Sequence, residues 1–161
     1  MRRLIAGLLL VIAAEGTALA CSCLAPGTPE ESRAYAREAV LRALAIVEAD
    51  VLSEYRAGGP GERIRVRKLL WGKAPAEFRI ARGAFASGAS CDLLLREGES
   101  KVLILYDPAE AIDRPGTGEP EAGTLSIQSL CSDFLVSQPG HLAVTLEEAR
   151  RRGRPVIGER G

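Results

Sequence analysis

Arg63-Ile64-Arg65-Val66-Arg67 alternates charged and apolar side chains without a break. A period of two places Ile64 and Val66 on one face and three arginines on the other, the mark of a half-buried strand. Upstream, Arg56-Ala57-Gly58-Gly59-Pro60-Gly61 is a turn. Before it, residues 40–52 are rich in Val, Leu, Ile and Ala. Periodicity alone leaves helix and strand open there; a hairpin across the turn favours strand. Trp71-Gly72-Lys73 ends the second strand, and Trp71 reads as a barrel-end core residue rather than a ligand platform. Glu77-Phe78-Arg79-Ile80-Ala81 is a third, short strand, and a small-residue loop over 83–90 leads to Cys91. After the turn Glu97-Gly98-Glu99, the run Lys101-Val102-Leu103-Ile104-Leu105-Tyr106 is a buried strand. A long acidic loop over 108–123 precedes the last strand, Thr124-Leu125-Ser126-Ile127, which ends near Cys131. Five strands in a chain of this size predict an all-β fold, a small β-barrel with flanking helices, because closure removes exposed edges. The five-stranded OB-fold is the natural candidate.

Two capping signals predict the helices. In Thr28-Pro29-Glu30-Glu31, Thr28 caps, Pro29 suits the first helical position and Glu31 completes a capping box. This helix is expected to run to about Glu38 with Ala34, Tyr35 and Ala39 as its apolar face. Thr145-Leu146-Glu147-Glu148 is a second capping box, expected to open a short helix ending near Arg152.

The chain begins with Arg2 and Arg3, an apolar run over 4–14, and Ala18-Leu19-Ala20 directly before Cys21-Ser22-Cys23. Basic, apolar and small-residue regions in that order predict a signal peptide over residues 1–20 and an exported protein, extracellular or periplasmic. Lipidation of Cys21 is the rival; Ala18, where a lipoprotein signal wants a large aliphatic residue, disfavours it. No other apolar run nears the roughly 18 residues of a membrane-spanning helix. The expected organisation is a barrel domain over 21–137 and a C-terminal extension with a short helix over 138–161. The signal takes Arg2, Arg3 and Glu15 from the chain's 21 basic and 21 acidic residues, leaving 19 and 20. A net charge of −1 argues against a nucleic-acid partner.

All four cysteines, Cys21, Cys23, Cys91 and Cys131, follow the expected cut. An even count in an exported chain predicts two disulfides. Pairing Cys21 with Cys23 strains bridge geometry. The other two pairings join Cys21 and Cys23 to Cys91 and Cys131, in either order. Either would pin the first residues of the mature chain, where termini ordinarily fray. A bridge closing about 100 residues is worth roughly 4–5 kcal/mol in the chain-entropy model. Reduced thiolates holding Cu(I) or zinc are a further reading of Cys21-Ser22-Cys23, but export favours oxidation. An enzyme is the least supported class. The only histidine, His141, sits in Pro-Gly-His and reads as a loop residue. Asp107, Glu110, Asp113, Glu119 and Glu121 lack the spacing of a calcium loop. No cofactor is expected.

The residues then resemble a known family. Cys21-Ser22-Cys23 after the signal, Pro29 and the helix to Val40-Leu41-Arg42-Ala43, and Lys68-Leu69-Leu70-Trp71-Gly72 carry the likeness first. Cys91 with Gly98-Glu99-Ser100-Lys101-Val102-Leu103-Ile104, and Leu125-Ser126-Ile127 with Cys131, continue it. Together they are similar to the tissue inhibitors of metalloproteinases (TIMP), within the netrin-like (NTR) domain group, over residues 21–135. Animal members carry a third bridge in this domain, and no further cysteines match it here; the chain resembles a short microbial-type relative. The resemblance implies an OB-fold with bridges Cys21–Cys91 and Cys23–Cys131. It also implies inhibition of zinc metalloproteinases by Cys21, Ser22, Cys23 and Leu24. The α-amino nitrogen and carbonyl oxygen of Cys21 would chelate the target's zinc at the position that catalytic sites leave open. Ser22 would enter the first primed-side pocket, and the following residues would lie along the cleft. Segments 56–61 and 87–91 would flank the terminus. The alternative is a netrin-like interaction or structural domain without inhibitory activity.

Overall fold

A computed structural model of the chain describes residues 26–56, 61–81, 93–108 and 123–153. Its elements are α1 (Pro29–Arg42), β1 (Ala43–Val51), β2 (Arg63–Gly72), β3 (Glu77–Ile80), β4 (Ser100–Tyr106), β5 (Thr124–Ile127), a 3-10 turn (Leu130–Ser132), α2 (Phe134–Ser137) and α3 (Pro139–Arg152). The strands close into one barrel in the order β1-β2-β3-β5-β4. Every pairing is antiparallel except β3 with β5. This is an OB-like all-β fold with flanking helices, as the strand pattern predicted.

Short strands close only if they coil strongly, and bulges supply the coiling. Along β1 and β2 the register slips between Ile46 and Val47 and between Glu48 and Ala49, leaving Leu70 and Arg67 as the extra residues. A third slip, between Ala43 and Ala45, bends β1 against β4. At the end of β2 the backbone turns sharply at Gly72, with φ of 83°. A Cβ there would lie 2.1 Å from the Leu44 carbonyl oxygen. The position is therefore closed to other residues by both conformation and space.

The barrel serves two cores. Inside it, Ala45, Val47, Ala49 and Val51 of β1 meet Ile64, Phe78, Ile80, Leu103 and Leu105. Leu93 and Leu95, from the segment before β4, join them; the strand pattern gave no hint of this plug. Outside it, Ile46 and Ile104 are covered by Ala36 and Val40 of α1, Leu135 and Val136 of α2, and Ala149 of α3. Each fully buried aliphatic side chain contributes about 1.5–3 kcal/mol. Thus β1 is buried on both faces at Ala45–Val47 and turns Glu48 and Asp50 outward beyond them. A strand buried on both sides reads as a continuous apolar run, which is why residues 40–52 left helix and strand open. The answer is both: Val40 to Arg42 complete α1, and Ala43 begins β1.

The α1 capping box forms as expected. Glu31 N–H donates to Thr28 Oγ1 at 3.1 Å, and Thr28 N–H donates to Glu31 Oε2 at 3.0 Å. The buried face differs from the prediction: it is Ser32, Ala36 and Val40, with the predicted Ala39 packed partly buried beside them and Ala34 and Tyr35 exposed. Tyr35 instead rests edge-on against Phe134 and is 47% exposed. The predicted start of the last helix is also corrected. α3 begins at Pro139, and Thr145 lies in mid-helix. Its Oγ1 donates to the Leu135 carbonyl at 2.9 Å in full burial. The Thr-x-x-Glu pattern is thus used for packing: Glu148 is buried and faces Arg33, Arg37 and Arg151.

The two long helices run the same way. Arg33 meets Glu147 and Glu148, Arg37 meets Glu148, and Arg152 reaches the carbonyls of Val40 and Ala43. Parallel neighbours align their dipoles unfavourably. Arg152 offsets this by presenting a guanidinium to the carbonyls at the end of α1. α3 is therefore part of the domain's outer core, although it begins only at residue 139.

Candidate functional site

The sequence placed the site at cysteines, and one of them lies among the described residues. Cys131 is disulfide-bonded. Its partner lies outside the described residues, as do Cys21, Ser22, Cys23, Leu24 and Cys91. The flanking segments 57–60 and 87–91 lie outside them too.

How Cys131 is held can be followed residue by residue. β5 is only four residues long and pairs with β4 through Leu105–Ile127 and Tyr106–Ser126. One step further, Ile104 would look for a backbone partner. It finds a side chain: Ile104 N–H donates to Gln128 Oε1 at 2.8 Å. Gln128 is 2% exposed, so this bond replaces the ladder that β5 no longer provides. Its Nε2 donates to the Val102 carbonyl at 3.4 Å and to Asp133 Oδ1 at 3.3 Å. Asp133 Oδ2 faces Lys101 Nζ at 3.5 Å, and Lys101 also meets Glu99 at 3.8 Å. Between Gln128 and Asp133 the chain makes the 3-10 turn that carries Cys131, closed by Ser132 N–H to the Ser129 carbonyl at 3.0 Å. β4 therefore grips the turn on both sides of the cysteine. None of this network was legible beforehand, because single polar residues after a strand carry no periodic signal.

The remaining candidates fall elsewhere. His141 lies in the first turn of α3, not in a loop, with its ring 5.4 Å from that of Phe134. Its Nδ1 makes no hydrogen bond among the described residues. Trp71 lies half-buried in the outer core, with the Arg152 guanidinium 6.0 Å from its ring. Of the carboxylates weighed as a calcium loop, only Asp107 lies among the described residues. Among the described residues no group of three metal-ligating side chains occurs, and no helix is long and apolar enough to cross a membrane.

In OB-folds the face of strands 2 and 3 binds oligonucleotides and oligosaccharides. Here its arginines meet carboxylates. Arg65 pairs with Glu77 at 3.0 Å and Arg63 with the same carboxylate at 3.7 Å. Arg67 and Lys68 lie 3.7 and 3.8 Å from Glu48, and Arg67 lies 3.9 Å from Asp50. The aromatic side chains needed for base stacking are missing from the outward positions of β2 and β3 that carry these charges.

Comparison with known proteins found no matching family model, no matching curated protein and no matching solved structure.

Proposed function

We propose that this chain is an exported TIMP-like inhibitor of zinc metalloproteinases. On this reading its disulfide-anchored N-terminal Cys21 chelates the target's zinc through its amine and carbonyl. The observation that carries the reading is an oxidised cysteine four residues after the last strand of an OB-like barrel. The chain also begins with a secretory pattern ending at Cys21-Ser22-Cys23. In this proposal Cys131 tethers Cys23, and Cys91 tethers Cys21. An α-amino group has a pKa near 8, so little is lost in deprotonating it for zinc at neutral pH. A terminus already fixed by bridges loses little ordering entropy on docking. The carboxylates that neutralise the β2–β3 face support a protein partner over a nucleic acid.

Two measurements test this. Intact mass and N-terminal analysis of the exported protein should show a free amine on Cys21 and two disulfides. The pure protein should then inhibit at least one member of a panel of zinc metalloproteinases, and adding one N-terminal Ala should abolish that inhibition. An acylated Cys21, or an extended form as potent as the native one, refutes the warhead. A correctly processed protein inert against the panel favours the netrin-like interaction domain instead.

A further inference from the structure

We infer that Gln128 and Asp133 are positioning residues: they fix to β4 the turn that carries Cys131, and so hold that end of its disulfide in place on the barrel. The link to inhibition rests on the function proposed above; the clamp itself does not. Four features of the geometry carry it. Gln128 stands three residues before Cys131 and Asp133 two residues after. Both are tied to the same strand, Gln128 through Ile104 and Val102 and Asp133 through Lys101. The two are also tied to each other, Nε2 to Oδ1 at 3.3 Å. Finally, β4 is hydrogen-bonded to both β1 and β5, so the turn is fixed to an interior strand of the closed sheet rather than to a loop.

A clamp of this kind does something ordinary packing does not. It makes the local opening of the turn rarer than its short length would imply, because a three-residue 3-10 turn has little cooperative stability of its own. Cys131 is partly exposed on the turn, so a turn that opens more often offers its disulfide to a thiol more often, and the reduction rate responds to the clamp.

The experiment uses the full processed, oxidised protein, with dithiothreitol as reductant and alkylation of Cys131 followed by mass spectrometry well below the melting temperature. Asp133→Ala removes both the acceptor for Gln128 and the partner of Lys101, and should speed reduction about tenfold or more. Asp133→Asn keeps the acceptor and should fall between Asp133→Ala and wild type. Lys101→Met removes the ion pairs to Asp133 and Glu99 but keeps every contact of Gln128, and should give a smaller acceleration. Arg37→Ala, in the α1–α3 contact, should leave the rate unchanged. A rate in Asp133→Ala equal to wild type overturns the inference; if that variant does not fold, an unchanged rate in Lys101→Met overturns it. Inhibition forms a separate arm. A wild type that inhibits nothing refutes the proposed function while the reduction rates still decide the clamp. Where wild type inhibits, Asp133→Ala should raise Ki about tenfold and Arg37→Ala should not; an unchanged Ki in Asp133→Ala overturns its role in placing the terminus.

Discussion

Gly72→Ala separates two costs that usually come together. Gly72 and Gly98 share a positive φ, 83° and 82°, so each pays about 1–2 kcal/mol for carrying a Cβ there. Their surroundings differ. At Gly98 an added Cβ meets nothing within 4 Å, whereas at Gly72 it meets the Leu44 oxygen at 2.1 Å and the Ala45 Cα at 2.8 Å. Those are backbone atoms of β1, which is paired on both sides and cannot retreat without disturbing β4. Forced displacement in a packed region costs about a further 1–3 kcal/mol. The expected losses are therefore about 1–2 kcal/mol for Gly98→Ala and about 2–5 kcal/mol for Gly72→Ala. The restriction of the unfolded chain is common to both and cancels in the comparison. At about 2–4 °C per kcal/mol for a chain near this size, calorimetry on the two variants and wild type resolves the difference. Equal losses at the two glycines would refute the reasoning, because the contact between the end of β2 and the bulge at Leu44 would then carry no penalty.

Arg152→Met should cost about 1–2 kcal/mol, the worth of charge-assisted hydrogen bonds to the end of a helix. It should also change the emission of Trp71, the only tryptophan, since the guanidinium lies 6.0 Å from its ring; an unchanged spectrum and melting temperature would refute the capping role. Burial raises the pKa of Tyr106 well above that of an ordinary phenol, with only partial relief from Arg42. The native phenol thus keeps its proton after the unfolded chain has lost it, so this contribution to stability is full below about pH 10 and fades as pH rises beyond. An absorbance titration should find one of the three tyrosines ionising only as the fold is lost; three ordinary titrations would refute it.

Legibility followed exposure. β2 could be read directly because Arg63, Arg65 and Arg67 face solvent opposite a buried Ile64, so its period of two survives in the sequence. β1 could not, because Ile46 is buried outside the barrel as completely as Ala45 and Val47 are inside it. The helices failed in phase rather than in existence. Tyr35 looks like a core residue but is exposed, while the small Ser32 and Ala36 are buried on the helix that packs against α3. Thr145 looks like a cap because the residues that cap exposed helix ends also satisfy carbonyls inside a core. Of the candidate site, Cys131 was legible as chemistry. Gln128 and Asp133 were not, since their role depends on where β4 lies, and a strand that ends 22 residues before Gln128 announces nothing about them.

β4 ties stability to the placement of Cys131, and it does so through different atoms of consecutive residues. Leu103 and Leu105 fill the barrel, and Ile104 between them supports the helices. The N–H of that same Ile104 holds Gln128, and Lys101 holds Asp133. A substitution in the Ile104 side chain would loosen the outer core and, by shifting the backbone, the clamp as well. A substitution at Asp133, largely buried but outside both hydrophobic cores, acts on the clamp alone. The distinction predicts non-additivity: Asp133→Ala should cost less in an Ile104→Val background, where the strand is already displaced, than in wild type. Sites that merely shared a fold without sharing a strand would add.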